Sequence, residues 1–203
     1  LLTVERPGNP NLEFVYQPEP LGLAHAVRLA GDALQYGPFL MYLGDNLLDE
    51  PLGPLVARFE QENPDGLVVI REVNNLQKFG VAVLDKGKVI RVEEKPKVPR
   101  SNFALLGIYL FSAAIHQAVR RIKPSRRGEL EITDAIQDLI DHGKTIAYHK
   151  LNGWWKDAGS VAELLEANKF FLKKLPPSPS GKVKKSQING VLALEKGSLL
   201  KNC

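Results

Sequence analysis

One cysteine in 203 residues, Cys203 at the last position, leaves the chain no internal disulfide and no cysteine-rich metal site. No apolar run approaches the ~20 residues that cross a bilayer as a helix, and no secretory leader opens the sequence. A cytoplasmic protein that meets neither membrane nor nucleic acid is expected. The only methionine is Met41, and Leu1 stands where an initiator would, so the chain is expected to begin inside a longer protein. Basic charge is also scarce once it is located. The formal net charge is +4, but residues 173–203 hold seven lysines against one glutamate, which is +6 and leaves −2 for residues 1–172. Arg120, Arg121, Lys123, Arg126 and Arg127 are the one basic cluster of that body, and such a run is more often the solvated end of a helix than a polyanion groove.

What is present is an ordinary globule, 44% apolar and 25% charged, long enough for one well-cored main domain. Residues 12–17 alternate as a strand does and stop at Pro18 and Pro20. From Leu21 the apolar positions 23, 26, 27, 30 and 34 keep a helical period, and Leu52, Leu55, Val56 and Phe59 keep it again. Residues 67–73, 80–84, 89–92 and 103–111 read as strands, the second and third joined at Asp85-Lys86-Gly87-Lys88 by a glycine-bearing hairpin turn. Ser112 starts a helix through Ile122, and residues 132–140 carry a second helical stripe ended by Gly143. A strand over 145–151 and a helix over 161–172 follow. The alternation predicts an α/β, Rossmann-like layered fold around a mixed but mostly parallel sheet. A right-handed crossover would then set the strand ends at Gln17 and Asp45 beside one crevice.

Residues 1–175 make the main domain in this reading, and the Pro-Ser-rich stretch at 176–185 is a linker. Beyond it Ile188, Leu194 and Leu200 recur every six residues, a spacing that suits the first rungs of a left-handed β-helix over 186–203. An edge hairpin or a frayed tail suits so short a piece equally well.

The chemistry-bearing residues fall at element ends. Leu43-Gly44-Asp45-Asn46 closes the apolar run Phe39-Leu40-Met41-Tyr42 and puts a carboxylate at the end of what is expected to be a buried central strand, where open α/β sheets place their sites. Such a carboxylate needs a cation. Asp157, in Trp155-Lys156-Asp157-Ala158-Gly159, is a second acid ahead of a helix that Ser160 can cap, and its plainest role is a charge at that helix's start. In Glu93-Glu94-Lys95-Pro96 alternation sends either Glu94 or Lys95 inward, a glutamate to accept from sugar hydroxyls or a lysine to hold phosphate. Gln17 and Gly22 flank a stiffened loop where an amide could read a pyrimidine edge and a glycine could let a base lie on the backbone, or the loop is a plain βα connection with His25 on the helix surface. Arg127 precedes a helix whose acidic first turn, Glu129 and Glu131, reads as capping; Arg127 itself is free to reach a phosphate.

Taken in order, the loop over 17–26, Leu43-Gly44-Asp45-Asn46, Phe79-Gly80-Val81, Glu93-Glu94-Lys95-Pro96, the strand carrying Gly107, residues 128–134 and Trp155-Lys156-Asp157-Ala158-Gly159 resemble the sugar-1-phosphate nucleotidylyltransferases. Within them the likeness is closest to the glucose-1-phosphate thymidylyltransferases with a C-terminal extension. The resemblance implies Mg²⁺ on Asp45 and Asp157, sugar phosphate on Lys95 and Arg127, sugar against Glu94, Gly80 and Gly107, and the base against Gln17 and Gly22. It implies a nucleoside triphosphate and a sugar 1-phosphate as substrates, and leaves dTTP against UTP, the identity of the sugar and homo-oligomerisation open. One departure stands out: the family's glycine-rich triphosphate loop does not occur in residues 1–203. The chain by itself is therefore expected to transfer no nucleotide. A non-catalytic sugar-nucleotide-binding subunit of the same fold is the alternative, and a related glycosyltransferase is disfavoured because the strand end carries Gly-Asp-Asn in place of Asp-x-Asp.

Overall fold

The computed structural model describes residues 2–4, 12–174, 181–188, 192, 194 and 196–202. Cys203 and residues 176–180 of the expected linker lie outside them. In chain order the elements are β1 (Leu2–Val4), β2 (Leu12–Phe14), α1 (Leu23–Leu29), β3 (Phe39–Tyr42), β4 (Asn46–Leu48), α2 (Gly53–Glu62), β5 (Gly66–Glu72), β6 (Gly80–Asp85), β7 (Lys88–Glu94) and β8 (Phe103–Phe111). They continue with α3 (Ile115–Arg121), α4 (Ile132–Asp141), β9 (Ile146–Lys150), β10 (Trp155–Asp157), α5 (Val161–Lys174), β11 (Lys182–Lys184) and β12 (Leu199–Lys201). Two compact units result, one of Leu1–Leu43 with Glu50–Gly153 and one of Gly44–Asp49 with Trp154–Cys203.

The first unit is an α/β layer built on a six-stranded sheet in the order β7-β6-β8-β5-β9, with β3 also on β8. β8 is its centre. Eight of its nine residues are buried, so the run reads as continuously apolar with no alternation. α1, α3 and α4 cover one face through Ala24, Val27, Ile115, Ala118, Ile132, Ala135, Ile136 and Leu139, packed on Ile70, Tyr109 and Phe111. The stripe at 132, 135, 136 and 139 is what makes α4 a helix here: burial of one face outweighs its two β-branched residues in the first turn. It stops at Gly143, whose φ of 74° lets Gly143 N–H donate to Ile140 O and Lys144 N–H to Leu139 O. At the β6–β7 hairpin both Lys86 (φ 44°) and Gly87 (φ 80°) are left-handed, the two-residue turn whose twist suits an antiparallel pair.

The expected mixed sheet is present, but the balance of its ladders differs from the alternation. Within this sheet β3/β8, β5/β8, β6/β7 and β6/β8 are antiparallel and β5/β9 is parallel. The reason lies in the connections: β5 through β8 follow one another with no α-helix between them, and a parallel neighbour needs a crossover of about a dozen residues. β3 is likewise not central. It pairs only with β8 among the described residues; Phe39, Leu40 and Met41 are half-buried and Tyr42 is exposed, because a strand with one neighbour keeps an open edge. β2 is exposed throughout and pairs with β1 in a separate two-stranded sheet. Among the described residues β2 and β3 therefore share no sheet, and the expected crossover between neighbouring parallel strands is not made.

The second unit contains the antiparallel pair β4/β10, helix α5 and the parallel pair β11/β12. Trp154 stacks on Phe170 with ring centroids 4.0 Å apart, and Phe171 meets it edge-on. At the start of α5 Ser160 Oγ accepts from Glu163 N–H and donates to Glu163 Oε2, so the cap read from the sequence forms.

Gly22 is a position where glycine is obligatory. Its φ is 102°, and a Cβ there would lie 2.5 Å from Leu130 O, because Leu21 O and Ala24 N–H both bond the Leu130 backbone. Gly22→Ala should destabilise the chain by about 2–4 kcal/mol, through backbone strain plus the forced displacement of Leu130. Urea unfolding midpoints for the two proteins measure it, and a difference under about 0.5 kcal/mol would contradict the packing argument.

Candidate active site

In the first unit the structure brings Gly80, Glu94, Lys95 and Arg127 to one place. β7 ends at Glu94, whose side chain turns inward, while Lys95 leaves the strand with φ 39° and a half-exposed side chain. The alternation argument left these two open; burial resolves it in favour of Glu94. Its Oε2 accepts from Thr133 Oγ1 at 3.0 Å, its Oε1 lies 3.3 Å from Arg127 Nη1, and Lys95 Nζ is 3.8 Å away. Gly80 closes the cluster from β6: a Cβ on it would stand 2.8 Å from Thr133 Cγ2 and 3.4 Å from Glu94 Oε2. Gly107 sits in buried β8, where its carbonyl accepts from Leu43 N–H.

Burial, reinforced by the charge of Glu131, pushes the Glu94 carboxyl above its ordinary range against the opposing pull of Thr133, Lys95 and Arg127. Tyr109, buried beside it, has its phenol pushed up by burial and then by Glu94, so it stays a neutral hydroxyl. Because folding raises the Glu94 pKa, the folded state prefers the proton: the group costs nothing below the ordinary carboxyl pKa and costs increasingly more as pH climbs through the raised value. Glu94→Gln should therefore match the parent in stability at acid pH and exceed it near neutrality. Urea unfolding at the two pH values checks this, and a variant weaker than the parent at pH 7 would show that pairing with Arg127 and Lys95 outweighs burial.

Arg127 is held more closely than the sequence suggested. Its Nη1 lies 3.3 Å from Glu131 Oε1 as well as from Glu94, and its Nη2 donates to Glu129 Oε1 at 2.9 Å. Glu129 and Glu131 do not cap the helix as expected: the Glu129 carboxylate accepts from Arg127. Glu131 occupies the N-cap of α4 but makes no side-chain cap bond, because its carboxylate is turned to Arg127 and to Ser125 Oγ. Glu131, Thr133 and Tyr109 are cluster members that sequence reasoning missed. A helix start such as Glu-Ile-Thr-Asp carries its own local explanation, and the contacts that override it come from the preceding loop for Glu131 and from β7 for Thr133.

The Gln17 amide donates to Gly22 O at 3.3 Å and lies 3.1 Å from His25 Nδ1, which ties the loop to the start of α1. The side of Gly22 on which a Cβ would project is filled by Leu130. Both residues thus have structural work in the connection itself.

In the second unit β4 and β10 set Asn46 opposite Asp157, and Ala158 N–H donates to Asp45 O at 2.8 Å. Asp45 and Asp157 are neighbours across this ladder although 112 positions separate them in sequence (157 − 45). Asp45 Oδ1 accepts from Asn46 Nδ2 and Asp157 Oδ1 from Gly159 N–H. Trp155 Nε1 donates to Asn46 Oδ1, which steadies the same ladder. No group of three or more metal-ligating side chains occurs among the described residues. Two carboxylates are oxygen donors of the kind that a divalent cation takes.

The nucleotidyl transferase family model matches residues 4–174. Curated relatives include glucose-1-phosphate thymidylyltransferase of Streptomyces griseus, 43% identical over 94% of this chain and 54% of the relative. The low-salt glycan biosynthesis nucleotidyltransferase Agl11 of Haloferax volcanii is 46% identical over 80% of this chain and 46% of the relative. The chain spans about half the length of the curated relatives it matches. Among solved structures, UDP-glucose pyrophosphorylase complexed with UDP-glucose superposes with a TM-score of 0.73 at 28% identity, over 80% of this chain and 66% of that one. A Bacillus anthracis protein described as a glucose-1-phosphate thymidylyltransferase, in complex with sucrose, gives a TM-score of 0.66 at 36% identity, over 73% and 60%. No helix among the described residues is long and apolar enough to cross a membrane. With the family model spanning the α/β layer, both aspartates and the Glu94 cluster, the chain belongs to the nucleotidyl transferase family.

Proposed function

We propose that the natural polypeptide carrying this chain is a cytoplasmic enzyme that transfers a nucleotidyl group from dTTP or UTP to glucose 1-phosphate. The observation that carries this is the Glu94 cluster: one inward carboxylate able to accept from sugar hydroxyls, with the cations of Lys95 and Arg127 beside it for the sugar's phosphate. Its neutral neighbour Thr133 orients that carboxylate, and Gly80 lets Thr133 and Leu105 pack closely beside it. Lys95 and Arg127 hold the phosphate as nucleophile, one of its oxygens attacks the α-phosphorus, and the bond to the β-phosphate breaks with pyrophosphate as leaving group. Asp45 and Asp157 are the residues assigned to Mg²⁺, which when bound supplies positive charge to phosphate oxygens. Gln17 and Gly22 are assigned to the base and Gly107 to the sugar. Residues 186–203 are read as the start of a left-handed β-helix beyond a linker at 176–185, although β11 falls within that linker range and pairs in parallel with β12. The register of that pair joins Lys182 to Leu199, an offset of 17 positions and close to three six-residue turns.

The test is a pyrophosphate-release assay of the natural polypeptide with glucose 1-phosphate, Mg²⁺ and either dTTP or UTP. Release with one or both triphosphates, abolished by EDTA, is expected. A polypeptide that binds sugar nucleotide yet releases no pyrophosphate would support the non-catalytic alternative.

A further inference from the structure

Arg127 belongs to a loop that a single hydroxyl organises. Ser125 Oγ accepts from Arg127 N–H at 3.1 Å and donates to Glu131 Oε1 at 3.0 Å, while Gly128 N–H bonds Ser125 O and Ser125 N–H bonds Glu129 O. Glu131 is thus joined to Arg127 twice, through Ser125 to the backbone and directly at Nη1 to the guanidinium. It is also nearly sequestered, with its side chain 7% exposed against 42% for Arg127. A carboxylate so placed, making no cap bond to its own helix, needs a compensating partner, and Arg127 and Ser125 are the ones it has.

We propose that Glu131 is the positioning residue for Arg127: it pins the guanidinium so that it faces the sugar phosphate and does not collapse onto Glu94. This rests on the reading that Arg127 binds that phosphate. Arg127 Nη1 stands at 3.3 Å from both Glu94 Oε1 and Glu131 Oε1, so the two carboxylates share one nitrogen. Without Glu131 the exposed, rotamer-rich arginine has Glu94 and Glu129 as its remaining partners, and a full pair with Glu94 occupies the carboxylate meant for the sugar. Charge alone predicts the opposite. Glu94, Glu129 and Glu131 against Lys95 and Arg127 sum to −1, so removing a negative charge should favour a phosphate.

Glu131→Asp separates these, since it keeps the charge but withdraws it by one methylene from both contacts. Calorimetric titration of the natural polypeptide with glucose 1-phosphate should show affinity about 5- to 10-fold lower in Glu131→Asp, with the variant still melting cooperatively at a temperature above that of the titration. In an Arg127→Ala background the same change should have no further effect, the non-additivity expected of residues acting as one unit. A Glu131→Asp chain that binds as the parent does, while Arg127→Ala binds more weakly, overturns the inference alone. A Glu131→Asp effect that persists undiminished in the Arg127→Ala background overturns it too. Should Arg127→Ala bind with parental affinity, or the parent chain give no binding heat, the reading of Arg127 falls and the inference falls with it.

Discussion

Residues 1–203 assayed alone with dTTP, UTP, glucose 1-phosphate and Mg²⁺ should release no pyrophosphate above background. The transfer needs backbone N–H donors and cations around the triphosphate, and in this family a glycine-rich loop supplies them. No such loop occurs in the sequence, and the described glycines do other work: Gly22 accommodates Leu130, Gly87 turns a hairpin and Gly143 ends α4. Each preorganised donor withdrawn from a developing charge typically costs about 10²–10³ in rate, so withdrawing a whole loop extinguishes turnover. The half-open apolar edge of β3 should also limit the solubility of the isolated chain. Pyrophosphate released above background, and lost on adding EDTA, would mean that the triphosphate is held by residues outside this account.

Lys95→Ala in the natural polypeptide should be the costliest single loss for the sugar phosphate. Its ammonium is 3.8 Å from Glu94, on a left-handed residue that takes the side chain off the strand and leaves it half-exposed. A charge-assisted bond to phosphate contributes roughly 1.5–3 kcal/mol, which is about 10- to 100-fold in KM for glucose 1-phosphate. KM for the triphosphate should stay within about twofold, since binding lost from one substrate alone is the mark of a contact made to it alone. Unchanged sugar-phosphate kinetics would return Lys95 to a solvated hairpin end. The contrast with Glu94→Gln is informative, because that substitution is expected to raise stability near neutrality while replacing one oxygen of the acceptor proposed for the sugar with an NH₂ donor.

Several elements were legible because their causes are local. The stripe at 132, 135, 136 and 139 made α4 readable, as Ser160 with Glu163 did the start of α5 and Lys86-Gly87 the hairpin. The apolar run Phe103-Ala104-Leu105-Leu106 signalled a buried strand by length and composition. What periodicity does not contain is the identity of a strand's neighbours. β3 and β8 are both apolar runs, yet only β8 is flanked on both sides, and nothing within four residues distinguishes a centre from an edge.

The same division holds for the candidate site. By itself the sequence determined which carboxylates, cations and glycines stand at element ends, and in what order, because turn chemistry and strand termination act over a few residues. Tertiary structure alone decided that Glu94 and not Lys95 faces inward, that Asp45 and Asp157 meet across β4 and β10, and that Glu131 holds Arg127 where it could have capped α4. The first two turn on contacts brought from 33 and 112 positions away (127 − 94 and 157 − 45), and the third on the burial of Glu131, whose partner Arg127 is only four positions off in the chain.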